Sequence, residues 1–104
     1  MTTALVSQGS YTASSLATIF TASAACTVAV SITNKSGGAG TITEISRSAS
    51  ESTDATGMLR GDTALADDGT LEITGIIMDG TARYLQLACS VNVNYVINGV
   101  THAL

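Results

Sequence analysis

The chain has 104 residues, a net charge of -4 and only 12% charged residues, about half the ~25% usual in soluble domains. This length makes one domain with a single modest core. The four cations, Lys35, Arg47, Arg60 and Arg83, are scattered, which argues against nucleic-acid binding by clustered phosphate neutralisation, and no apolar run approaches the ~18 residues needed to span a bilayer.

Residues 1–14, MTTALVSQGSYTAS, show no sustained period and read as an extended N-terminal arm. Such an arm either docks on another subunit or folds back on its own sheet. Residues 15–104 form the expected β domain. Leu16–Thr21 reads as a first short strand and Thr21–Ala25 as a small-residue turn. Leu16–Cys26, LATIFTASAAC, has the outline of a lipoprotein signal, but no Lys or Arg precedes Lys35, so the positive leading region is missing. Cys26–Asn34, CTVAVSITN, alternates cleanly, with Cys26, Val28, Val30 and Ile32 inward. Asn34–Gly40 is a glycine-rich loop, and Thr41–Arg47 is expected to return as its hairpin partner.

Ser48–Gly57 is a polar surface loop. Met58–Arg60 makes a short strand at best, and Gly61–Gly69 reads as a turn cluster. Thr70–Met78 alternates Leu71, Ile73 and Ile77 against Glu72 and Thr74, with a bulge expected at Gly75. Asp79-Gly80 is a tight-turn dipeptide leading into Arg83–Cys89, where Leu85, Leu87 and Cys89 oppose Tyr84, Gln86 and Ala88. Val91–Asn98 follows, with Val91, Val93, Tyr95 and Ile97 on one side and Asn92, Asn94 and Asn98 on the other. An Asn-lined face belongs to a sheet with one side toward solvent or a partner. Asn98-Gly99 is a second turn dipeptide. Seven or eight short strands, with turns every 8 to 12 residues, predict an all-β antiparallel sandwich of jelly-roll or immunoglobulin-like type.

The residues offer little chemistry. His102 is the only histidine and lies near the end of the sequence, a poor place for a held catalytic base. One His and two separated Cys make no structural zinc site. Cys26 and Cys89 permit one bridge, but the missing secretory signal favours two free, buried thiols. Asp54, Asp62, Asp67, Asp68 and Asp79 sit at turns. Asp62 with Asp67 and Asp68 is the one conceivable calcium set, without EF-hand spacing. Asn34-Lys35-Ser36 matches a glycosylation acceptor. Of the aromatics, only Tyr84 is placed to stack on a sugar. No catalytic, cofactor or metal residues are therefore assigned, and no enzyme activity is expected. The Thr, Ser, Ala, Gly and Asn that fill the surface are cheap to desolvate and suit burial against other protein.

From Ser10 the chain reads SYTASSLATIFTASAACTVAVSITNKSGGAGT, and from Met58 it reads MLRGDTALADDGTLEITGIIMDGTARYLQLACSVNVNYVINGV. These stretches resemble a family of small β-sandwich virion proteins of tailed bacteriophages. That family shows a Tyr-Thr opening, an alternating strand ending in Asn and a Ser/Gly/Ala loop. It then has a Gly-Asp-Thr-like turn and an Asn-Val-x-aromatic strand closed by Gly-Val. It usually has Pro in the turn represented here by Ala22–Ala25, where this chain has none. The resemblance implies a structural protein of the virion, assembled in the bacterial host cytoplasm. It implies a capsid decoration (cement) protein, or a neck, tail or fibre component. The implied partners are the major capsid or other virion proteins and copies of itself, as a trimer on a capsid. A glycan-binding or adhesion module is the alternative from a different class.

Overall fold

In the computed structural model, residues 4–12, 15–51, 57–79 and 81–102 are described. Eight strands follow one another: β1 Ala4–Tyr11, β2 Ala17–Thr21, β3 Cys26–Asn34, β4 Gly40–Ser48, β5 Met58–Leu65, β6 Thr70–Met78, β7 Tyr84–Cys89 and β8 Val93–Thr101. No α-helix occurs among the described residues. The strands form two four-stranded sheets, ordered β1-β8-β3-β6 and β2-β7-β4-β5, with every pairing antiparallel. First pairs with last, second with seventh, third with sixth and fourth with fifth. The chain is thus one long hairpin rolled into two layers, which is a jelly roll.

Alternation sets the two faces. In β3 burial switches at every residue, so Cys26, Val28, Val30 and Ile32 reach the core while Thr27, Ala29, Ser31 and Thr33 face out. The second sheet answers with Ile42, Ile45, Leu85, Leu87 and Cys89. The core is aliphatic, built on β-branched residues that suit a pleated sheet. Its one large aromatic, Tyr11, closes an end. The Tyr11 hydroxyl lies 3.0 Å from the Ser15 carbonyl oxygen and accepts from the Cys89 N–H at 3.2 Å, which ties β1 to β7 of the other sheet.

Several expectations change. Within the arm expected over residues 1–14, Ala4–Tyr11 is a regular strand paired along its whole length with β8. Residues 1–3, 13 and 14 lie outside the described residues, as do Asp54 and Gly80. Thr41–Arg47 is not the hairpin partner of β3: β3 and β4 belong to different sheets, and the glycine-rich loop crosses between layers. The tight turn expected at Asp79 is present, its carbonyl accepting from the Ala82 N–H at 3.2 Å, but it joins β6 of one sheet to β7 of the other. Gly61-Asp62 is not a turn but lies inside β5, with Asp62 in a left-handed conformation at φ 43. Turn residues cannot reveal which sheet the next strand joins, because that depends on distant pairing. The bulge at Gly75 is present: β6 places Thr74 and Gly75 between partners Ile73 and Ile76, while β3 has only Ala29 between Val30 and Val28. Gly75 takes φ 70, which glycine adopts without steric cost.

Asn98-Gly99 is the most instructive change. An Asn-Gly hairpin turn needs positive φ at both residues. Neither has it, and β8 runs straight through them to Thr101. Glycine serves here for close approach. A Cβ at Gly99 would collide with the Thr27 carbonyl oxygen and sit 2.9 Å from the Val28 Cα. Because those atoms belong to the central strand β3, they have little freedom to move. Gly99→Ala is therefore expected to destabilise the domain by about 1–3 kcal/mol in urea unfolding.

Candidate interaction surface

The outward residues of the first sheet line up in rows across its strands. Ala4, Val100, Thr27 and Ile77 form one row, and Gln8, Val96, Ser31 and Glu72 another. Ser10, Asn94, Thr33 and Thr70 form a third, while Val6, Asn98 and Ala29 lead to the bulge. The adjacent strands β1, β8 and β3 contain no Asp, Glu, Lys or Arg. Glu72 is the one charged residue in these rows. Val6 is 75% exposed, Ile77 58%, Val100 42% and Val96 37%, so four of the five exposed large apolar residues among those described share this face. The fifth, Met58, lies on the other sheet.

The polar groups of the face are partly satisfied by one another. Ser10 Oγ donates to Asn94 Oδ1 at 2.9 Å, and the Thr33 and Thr70 hydroxyls meet at 3.0 Å. Groups already paired within the protein lose less when water is removed. A surface of this kind carries a single charge, Glu72, and is studded with aliphatic side chains. It suits contact with another protein surface. The Asn face read from the sequence is found in part: Asn94 and Asn98 are exposed here, while Asn92 precedes β8.

The second sheet behaves differently on its outward side. Ser46 and Gln86 are cross-strand partners, and alternation turns them away from the core, yet both are buried. Glu44 Oε2 accepts from Ser46 Oγ at 2.6 Å, and Gln86 Nε2 reaches Thr18 Oγ1 at 3.4 Å. Simple alternation placed Gln86 opposite Leu85 and Leu87 without showing that it is covered.

The other candidates are accounted for one by one. His102 is exposed but held, its Nε2 2.6 Å from Thr27 Oγ1 and its N–H donating to the Ala25 carbonyl at 2.8 Å. Asp67 accepts from the Gly37 N–H at 3.1 Å, and Asp68 meets Lys35 at 2.7 Å in an exposed ion pair. Asp62 lies apart in β5, and among the described residues no three His, Cys, Asp or Glu gather as a metal set. Asp79 Oδ1 accepts from the Thr81 hydroxyl and N–H at 2.7 and 2.8 Å, which holds its carboxyl below the usual carboxylate range. The Arg83 guanidinium lies 4.9 Å from the Tyr84 ring centroid and donates to its hydroxyl, so one face of that ring is already engaged.

Asn34 is fully buried, which removes it as a glycan acceptor. Its Nδ2 donates to the Gly38 and Leu65 carbonyls at 2.8 and 3.2 Å, and its Oδ1 accepts from the Ser36 N–H and hydroxyl at 3.0 and 2.7 Å. Its backbone also pairs with Gly69 and Asp68. Removing this side chain orphans several groups at once, so Asn34→Ala should cost about 2–3 kcal/mol by denaturant titration. Cys26 and Cys89 are free and buried, as expected of small apolar residues on inward faces. Burial pushes the Cys26 thiol up. Both should stay unreactive to an aromatic disulfide reagent in native buffer and react together on unfolding. No protein-family model, curated protein or solved structure matches this chain.

Proposed function

We propose that this chain is a structural, non-enzymatic protein of a tailed-phage virion that decorates the outer capsid through protein–protein contacts. The observation that carries the reading is the outer face of the first sheet, which has no charge over β1, β8 and β3. Four strands spaced about 4.8 Å apart and some eight residues long present roughly 500 Å². That approaches the roughly 800 Å² per partner of a stable interface. The resemblance of residues 10–100 to small phage virion proteins supplies the kind of assembly. Its partners are then capsid subunits and further copies of itself.

A jelly roll by itself assigns no function. What favours a structural role over a glycan-binding one is that Tyr84 is a lone aromatic with one face already engaged by Arg83. The test is quantitative mass spectrometry of purified particles of the encoding phage. Hundreds of copies per particle are expected for a capsid-decorating protein. A few to a few dozen copies would move it to neck, tail or fibres, and complete absence would overturn the virion role. Ile77→Lys, an exposed change on the face, is expected to abolish particle binding while leaving the fold intact by circular dichroism.

A further inference from the structure

We propose that the free edge of β1 is where two copies of this chain join. The two β1 strands pair antiparallel about a two-fold axis centred on Ser7 and extend the first sheet through both copies. The proposal concerns the edge of the sheet and does not rest on the virion role, which concerns its face.

The two sheets have four edge strands, β1 and β6 in one and β2 and β5 in the other. An edge strand presents backbone N–H and C=O groups that can template another strand, and folded proteins block such edges with charge, shortness or bulges. Three edges here carry such a block. The strand β2 has five residues and an irregular register between Thr18 and Phe20. Along β5 there are Arg60 and Asp62, the latter bent into the left-handed region. The edge strand β6 has the Gly75 bulge and Glu72, and Arg47 from the opposite sheet donates to its Ile77 carbonyl. The remaining edge, β1, has none of these. It runs eight residues, ALVSQGSY, in unbroken register from Ala4 opposite Val100 to Tyr11 opposite Val93. It contains no charge, no proline and no bulge.

Charge points to a second copy as the occupant. An uncharged strand has nothing with which to select a basic or acidic partner strand. Two chains of net charge -4 repel, and the repulsion is least where they meet on a region without charge. The edge strand β1 and its neighbour β8 provide such a region. Centring on Ser7 pairs all of Ala4–Ser10, about 24 Å of strand. Gln8 of one copy then stands opposite Val6 of the other, and the two Val6 side chains become diagonal neighbours. Val6 is the most exposed large apolar residue described, and this placement covers it. The outer faces of the two copies then run on as one surface. Edge pairing buries a few hundred Å² per copy, less than the roughly 800 Å² of a standard interface, so the dimer is concentration-dependent.

The test is analytical ultracentrifugation of the full chain from about 1 µM to about 1 mM. A monomer–dimer equilibrium is expected. The double variant V6K/Q8K puts lysines directly opposite one another twice across the axis, where like charges destabilise a strand pair. Both positions are exposed, so the monomer should keep its circular dichroism spectrum while the dimer weakens at least tenfold. Ser7→Cys should form an inter-chain disulfide under mild oxidation, since opposed strand residues lie within bridging distance and the native thiols are buried. A chain that stays monomeric throughout, or forms a trimer, overturns the proposal. So does a dimer that is unchanged in V6K/Q8K and uncrosslinked through Ser7→Cys. A dimer formed this way by a chain absent from particles would overturn the virion role alone.

Discussion

The double layer depends on how its crossings are held, and the buried Asn34 side chain holds the most demanding of them. At this end the chain leaves β3 in one sheet to enter β4 in the other, and leaves β5 to enter β6 in the reverse direction. Both crossings must bend without exposing the core. Asn34 bonds across both of them, to Gly38 and Ser36 in the first and to the end of β5 at Leu65. Its backbone pairs with Asp68 and Gly69 in the second. An amide suits the place because it donates twice and accepts twice from one small planar group. Tyr11 does related work at the crossing between β1 and β2, where its hydroxyl reaches the carbonyl of Ser15 and the backbone of Cys89.

Once the crossings are held, side-chain alternation does the rest. Each sheet sends one row of aliphatic residues inward, and the outward rows are free to differ. They do differ. The second sheet buries outward polar groups of its central strands β4 and β7, such as Ser46 and Gln86, and Glu44 bonds Ser46. The first sheet leaves its outward rows open, uncharged over three strands and dotted with valine. This asymmetry is physical information about use. A purely solvated face would be stabilised in water by charge, which keeps copies apart. A face stripped of charge is cheaper to dehydrate. The same economy extends to the edge, where β1 alone lacks the charge, shortness or distortion that blocks β2, β5 and β6.

Strand identity was legible where alternation is regular, and was missed in β1 and most of β5, where it is weak. The bounds of β3 and β6, the bulge at Gly75 and the inward positions of Cys26 and Cys89 all follow from period two and small-residue chemistry. The open face was half legible. Asn94 and Asn98 announced a polar outward row in β8, but Val6 and Ile77 did not declare themselves exposed. Val6 sits in ALVSQGSY, whose weak alternation was hidden by residues too small and polar to read as a strand. Ile77 resembled a core residue because the Gly75 bulge shifts the alternation by one, turning Ile76 inward and Ile77 outward.

The sequence by itself determined an antiparallel β protein, its core-facing residues in the regular strands, and a weakly charged surface. These depend on side-chain type and spacing, which are local. Only the tertiary structure decided which strands share a sheet, because a turn dictates where the chain bends and not which layer it enters. It alone showed that Asn98-Gly99 is extended, since the reason is the Thr27 carbonyl of a strand more than 70 residues earlier. It also gathered Val6, Val96, Val100 and Ile77 on one face. Their proximity comes from pairing the first strand with the last, and such pairing is settled by the burial of the whole core at once.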